Sequence, residues 1–179
     1  MNIFYLHNDP HIAAEMQTNK HVVKMILESA QLLSTAHRVL DGEHYIDASS
    51  GRKLQRWRHP TYDSELYIAT HFNHPCAIWV RESSENYIWL YKHFIWLNAE
   101  YEERYGKIHA SYKRLKDIIY FPPVNIPQGK FTEPAMAMPE QYIKRGDPIG
   151  SYRAYYEAEK LIEEQDIERY YAVLAAEGV

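Results

Sequence analysis

The sequence predicts a mainly α fold: a compact single-domain helical protein over residues 1–179, with a proline-rich ordered strap and a small β-hairpin. Three observations predict it. Two long stretches, Gln17–Arg38 and about Ser84–Tyr105, carry apolar residues at helical period, and each is closed by a nearby glycine. Residues 43–63 read as irregular apart from a small hairpin around Ala48-Ser49-Ser50-Gly51. From Phe121 to Gly150 there are six prolines and three glycines and no period, yet the segment is too apolar for a disordered tail.

Residues 2–6, NIFYL, form an apolar lead. Asn8, Asp9 and Pro10 then start a helix, because a capping side chain precedes a proline near the first helical position. This first piece, Pro10–Met16, leads into the long helix that Leu40-Asp41-Gly42 stops. Ala48-Ser49-Ser50-Gly51 predicts the turn of the hairpin, whose second arm is RKLQRWRHP. A helical piece is expected around Ser64–Thr70, and a new helix capped by Asn73 or His74 with Pro75 in its first turn. The helix over about Ser84–Tyr105 should bury Tyr87, Leu90, Tyr91, Phe94, Leu97 and Tyr101, with Ile88, Trp89, Ile95 and Trp96 broadening that face. A shorter helix, about Ile108–Tyr120, ends at Pro122-Pro123. In the strap (121–150), Val124, Ile126, Phe131, Met136 and Met138 are expected to be buried. Asp147-Pro148 opens the C-terminal helices of residues 151–179, SYRAYYEAEKLIEEQ and DIERYYAVLAAE.

A net charge of −4 means that no global field draws the chain to nucleic acid or acidic membranes, so phosphate binding must rest on a local patch. The single cysteine, Cys76, excludes a disulfide framework and a cysteine-based zinc site. No run of apolar residues is long enough to span a membrane and the first ten residues lack a signal-peptide layout. A cytoplasmic protein with no membrane partner is expected; the oligomeric state is open.

The long helix carries the main functional signal. Wound at about 100° per residue, it places Gln17, Lys20, His21, Lys24, Glu28, Gln31, Thr35 and Arg38 in a stripe roughly 120° wide. Val22, Val23, Met25, Ile26, Leu27, Ala30, Leu32 and Leu33 fill most of the remaining circumference. So narrow a polar edge on an apolar helix suits the wall of a cleft. The competing reading is a solvated edge with a Lys24–Glu28 pair at i,i+4, worth a few tenths of a kcal/mol.

His71-x-Asn73-His74-Pro75, followed by Trp79, Arg81 and Asn86, is the second signal. His and Asn at a helix start can orient a phosphate or base edge beside the first-turn N–H groups, and an imidazole there can serve as acid or base. Arg56 and Arg58 beside Trp57 suit phosphate contact and base stacking, or an ordinary solvated arm. Ten histidines raise a metal reading, but the pairs His71/His74 and His7/His11 lack a carboxylate at a diagnostic spacing and HExxH is absent. No metal and no cofactor are expected. The cations of Arg104-Tyr105-Gly106-Lys107 sit where a helix dipole favours them.

MNIFYLHNDP…AAEM…NKHVVKMILESAQLL, followed by NHPCAIWVRESSENYIWLY…EYEERYGK, resembles the pyrimidine dimer DNA glycosylase superfamily of the endonuclease V type, nearest to a phage-borne branch. The likeness runs over roughly residues 1–107. It implies a small helical DNA-repair enzyme whose N-terminal α-amine attacks the sugar C1′ and forms a Schiff base, assisted by a carboxylate on the first long helix, with arginines holding the DNA backbone. Lys20 and His21 lie near where the family's glutamate is expected, so Glu28, or Glu15 off the stripe, is the nearest carboxylate here. Asn2 disfavours removal of Met1.

The expected catalytic set is Lys20, Lys24, Glu28 and His74. The expected substrate- or phosphate-binding set is His21, Gln31, Arg38, His71, Asn73, Arg81, Asn86, Arg56, Trp57 and Arg58. Three functions compete. The first is a DNA glycosylase or glycosylase/lyase acting on the N-glycosidic bond of a damaged or modified pyrimidine. The second is an enzyme acting on a free nucleotide or modified base. The third is a non-catalytic module that binds DNA or protein.

Overall fold

The computed structural model describes residues 1–178 and is mainly helical, with one two-stranded antiparallel hairpin. In chain order the elements are α1 (Pro10–Glu15), α2 (Asn19–Asp41), β1 (Glu43–Asp47), β2 (Leu54–Arg58), α3 (Pro75–Glu82), α4 (Ser84–Tyr105), α5 (Ala110–Leu115), α6 (Pro148–Glu159) and α7 (Glu164–Ala176), with a single 3₁₀ turn at Glu140–Tyr142. Helices α2 and α4 pack together at the centre, and α1, α3, α5 and the apolar lead close the core around them.

The caps explain the boundaries. Asp9 accepts the His11 N–H at 2.8 Å to start α1, and Thr18 accepts from His21 N to start α2. The two helices are therefore separate, and Arg104 staples the break between them. Its guanidinium donates to the carbonyl oxygens of Glu15 and Gln17 and pairs with Glu100 at 2.6 Å. The Arg104–Lys107 cations thus include a structural clamp. His74 caps α3, Ser83 caps α4, and Gly106 ends α4 in the left-handed region at φ 64°, which a glycine adopts without steric cost.

Several expectations need correction. Residues 64–70 are not helical, because their carbonyls are taken by side chains from elsewhere. Arg38 draws in the oxygens of Asp63, Leu66 and Tyr67, and Arg114 those of Ser64 and Glu65. The Ile108–Tyr120 helix is shortened to α5, since Tyr91 and Tyr87 donate to the carbonyls of Lys116 and Ile119. The break between α6 and α7 falls at residues 160–163, ahead of the expected one. On α4, Ile88 and Trp96 are exposed, as are Val23 and Leu27 on α2.

The strap is ordered because helix side chains satisfy its backbone. Asp41 accepts from Val124 N and Asn125 N, Ser83 Oγ donates to Lys130 O, Asn86 accepts from Thr132 N, and Tyr152 donates to Ala135 O. Ile126 is buried and Phe131, Met136 and Met138 are half-buried, but Val124 is 88% exposed. No helix among the described residues is long and apolar enough to cross a membrane.

Candidate active site

The apolar lead carries the first residues onto the polar edge of α2. Asn2 makes this possible: its side-chain oxygen accepts from the N–H groups of Ile3 and Phe4, and its Nδ2 donates to Ala137 O of the strap at 2.8 Å. Phe4 takes a positive φ of 42° and stacks on His21 with ring centroids 4.4 Å apart. Such a backbone costs about 1–3 kcal/mol, so surrounding contacts must over-determine it.

The lead delivers its nitrogens to Glu28. The Met1 α-amine lies 3.8 Å from Glu28 Oε2, the Asn2 N–H donates to the same oxygen at 3.0 Å, and Lys24 Nζ reaches Oε1 at 3.3 Å. The Glu28 side chain is 13% exposed whereas Lys24 is 58% exposed, so the carboxylate is held inside and the lysine borders solvent.

His74 completes the group. Its Nδ1 accepts from Cys76 N at 3.2 Å, which leaves the ring proton on Nε2. Burial lowers its pKa first, then the Met1 amine and His71, while Glu28 opposes them. The amine, Glu28 and His74 are therefore within electrostatic reach of one another. Cys76 is buried beneath them, its thiol pushed up to about 11 by burial. His71 is exposed at a positive φ of 47°, its Nδ1 2.7 Å from Thr70 Oγ1, and Asn73 is exposed nearby.

On one side of this cluster a cavity of about 450 Å³ is lined by Lys20, His21, Lys24 and Lys160, opposed by Glu163 and Asp166. His21 is buried, bonded through Nδ1 to Tyr156 OH at 2.9 Å, and its pKa falls to about 4 through burial and then the three lysines. On the other side Gln31, Arg56 and Thr70 line a shallow depression. From Lys20 to Gln31 the edge runs about 16 Å along α2 at 1.5 Å per residue.

Other expected site residues fall elsewhere. Arg38 is buried and binds no phosphate, since its donors go to Tyr67 O, Trp57 O, Asp63 Oδ1, Asp63 O and Leu66 O. Asn86 is fully buried, donating to Trp79 O and Thr132 Oγ1, so it anchors the strap. Gln17 is buried against His93, and Thr35 bonds to Thr70. Arg81 is half-buried and donates to Ala77 O of its own helix. Trp57 packs edge-on against Phe72, and Arg58 sits over the Tyr45 ring, which turns the basic arm largely to structural use.

Sequence reasoning missed Phe4 and Asn2, whose roles depend on a lead crossing a helix distant in the chain. It also missed His37, Asp41 and His59, which converge on the far side of α2. No protein-family model, curated protein or solved structure matches the chain.

Proposed function

We propose that the chain acts on the N-glycosidic bond of a damaged or modified pyrimidine in DNA, as a glycosylase or glycosylase/lyase. The observation that carries this reading is the Met1 α-amine held 3.8 Å from a largely buried Glu28. An α-amine is a better nucleophile at neutral pH than a lysine, because its ordinary pKa is about 8. Glu28 takes the proton from the ammonium. The free amine attacks C1′, the bond to the base breaks, and the base leaves with the electron pair and a proton. The base's proton comes from the now C1′-bound amine. The C1′–O4′ bond of the resulting aminal then breaks, O4′ keeps the electron pair and takes back the proton held by Glu28, and the protonated imine left at C1′ sets up strand cleavage. In this reading His74 Nε2–H and Lys24 hold the flanking phosphates, as do Lys20 and Arg56 further along the edge.

Sodium borohydride trapping with ultraviolet-irradiated and abasic duplexes tests it, after the mass of the intact protein has established which residue carries the amine. If Met1 is removed, the Asn2 nitrogen, 3.0 Å from the same carboxylate, becomes that amine. The expected adduct maps to the first residue, and Glu28→Gln lowers its yield at least 100-fold with the fold intact. An adduct on Lys20 or Lys24 overturns the amine assignment, and no adduct on any lesion overturns lyase chemistry.

The acidic net charge and the carboxylates beside the lysines favour a second reading, an enzyme acting on a free nucleotide or modified base. Thermal stabilisation by a nucleotide that Lys20→Ala removes, without a trapped DNA adduct, would select it. A gel shift by DNA with neither result would leave a binding module.

A further inference from the structure

On the opposite face of α2, nine residues beyond Glu28, His37 opens onto a second cavity. Nine residues are two and a half turns, so this cavity faces away from the amine and lies about 14 Å further along the helix. It measures about 540 Å³ and is walled by Tyr62, Phe121, Pro122 and Val124 around a polar floor of His37, Asp41 and His59. One side-chain ligand atom from each of the three floor residues lies within 4.8 Å of the others.

The floor has an unfilled valence. His59 is 6% exposed, and its Nδ1 accepts the N–H groups of Thr61 at 3.2 Å and Tyr62 at 3.0 Å. The ring proton therefore sits on Nε2, and that buried N–H has no partner among the described residues. A divalent cation fits poorly here: Nε2 would have to lose its proton and Nδ1 gain one against two backbone donors, whereas a metal-bound histidine donates from its other nitrogen. The missing partner is a hydrogen-bond acceptor. Asp41 and Asp117 at the same cavity disfavour an anion and offer acceptors of their own. Asp41 is held in place by Val124 N, Asn125 N and Asn125 Nδ2. Tyr62 stacks on His59 with centroids 5.5 Å apart, and Phe121 is largely exposed at the mouth. Flat apolar walls suit a planar ring, and the volume is many times that of one water.

We propose that this cavity is a binding site for an uncharged planar heterocycle presenting a carbonyl to His59 Nε2–H and an adjoining N–H to the Asp41–Asp117 side, the chemistry of a free nucleobase or nucleoside. The site is separate from the amine and does not rest on the reading given to it.

Thymidine, uridine and guanosine are titrated calorimetrically against the full chain, with zinc chloride as a parallel arm. Saturable binding of at least one nucleoside is expected. It weakens at least tenfold in His59→Asn, where the amide oxygen can still accept from Thr61 and Tyr62 but the Nε2–H is gone. Phe121→Ala, which alters only the exposed wall, should weaken it severalfold without touching the floor. Glu28→Gln should leave it unchanged, so failure here and failure of the amine chemistry are separable. Absence of nucleoside binding to the folded protein overturns the proposal, and so does tight zinc binding that His59→Asn abolishes.

Discussion

The two halves of α2 carry one continuous polar stripe and use it in opposite ways. In the first half Lys20 and Lys24 reach solvent, and Glu28 meets an amine brought in by the lead. In the second half Thr35 and Arg38 are sealed beneath the hairpin and the 59–70 segment. Helical periodicity assigns residues to a face. Whether that face stays open depends on what the rest of the chain lays over it.

The strongest test of this contrast is Arg38→Ala. Its guanidinium bonds to four carbonyl oxygens and to Asp63 at 2.6 Å, and removing it strands the acceptors of Asp63, Leu66 and Tyr67, which have no helical partner, together with Trp57 O of β2. Asp63 is 49% exposed and can rehydrate, but each buried carbonyl left without a donor costs about 1–3 kcal/mol, which puts the total at about 3–5 kcal/mol. Urea unfolding should show a loss of that size, or no folded protein at all. A loss below about 1 kcal/mol would mean the second half is not sealed.

Acid should weaken both halves, for reasons that can be separated. Burial holds His37 and His21 at about 4, against an ordinary 6.5, so each is neutral in the folded state at pH 7. As pH falls below 6.5 the unfolded chain takes up protons that these rings refuse. Stability is therefore full above about 6.5 and declines towards pH 4, by roughly 2 kcal/mol per histidine at pH 5. His93, also at about 4 through burial, adds to the same loss. Lysines contribute to His21 and not to His37, so the His21 share should shrink in high salt. Melts of His21→Gln and His37→Gln at pH 7 and pH 5, in low and high salt, measure the difference.

How much of this was legible in the sequence follows the range of each interaction. Asp9-Pro10, His74-Pro75 and Gly106 act within one helical turn, and the elements they start or stop lie where those residues predict. Ser64–Thr70 has passable helical spacing, but Arg38 claims its carbonyls from some 29 positions away. The family resemblance pairs an N-terminal amine with a carboxylate of the first long helix and makes Glu28 the nearest candidate, but the route the lead takes to it was not legible. Met1 reaches Glu28 because Asn2 and Phe4 fold the lead back across α2. His59 looked like part of a basic arm; its orphaned Nε2 depends on a turn that occupies Nδ1.

The smallest expected effect on stability is the most informative about the open half. Lys24 is 58% exposed and its 3.3 Å contact with Glu28 is an i,i+4 pair at the edge of solvent, a type worth about 0.3–0.5 kcal/mol. Glu28 keeps the Asn2 N–H at 3.0 Å and the Met1 amine without it. Lys24→Ala should therefore leave the melting temperature within a few degrees of the parent, with the lead still seated, while borohydride trapping becomes weaker and less sensitive to salt as one phosphate contact is lost. A large fall in melting temperature would make the first half structural like the second. Unchanged trapping at every salt concentration would remove Lys24 from substrate binding and leave Glu28 and His74 to carry the site.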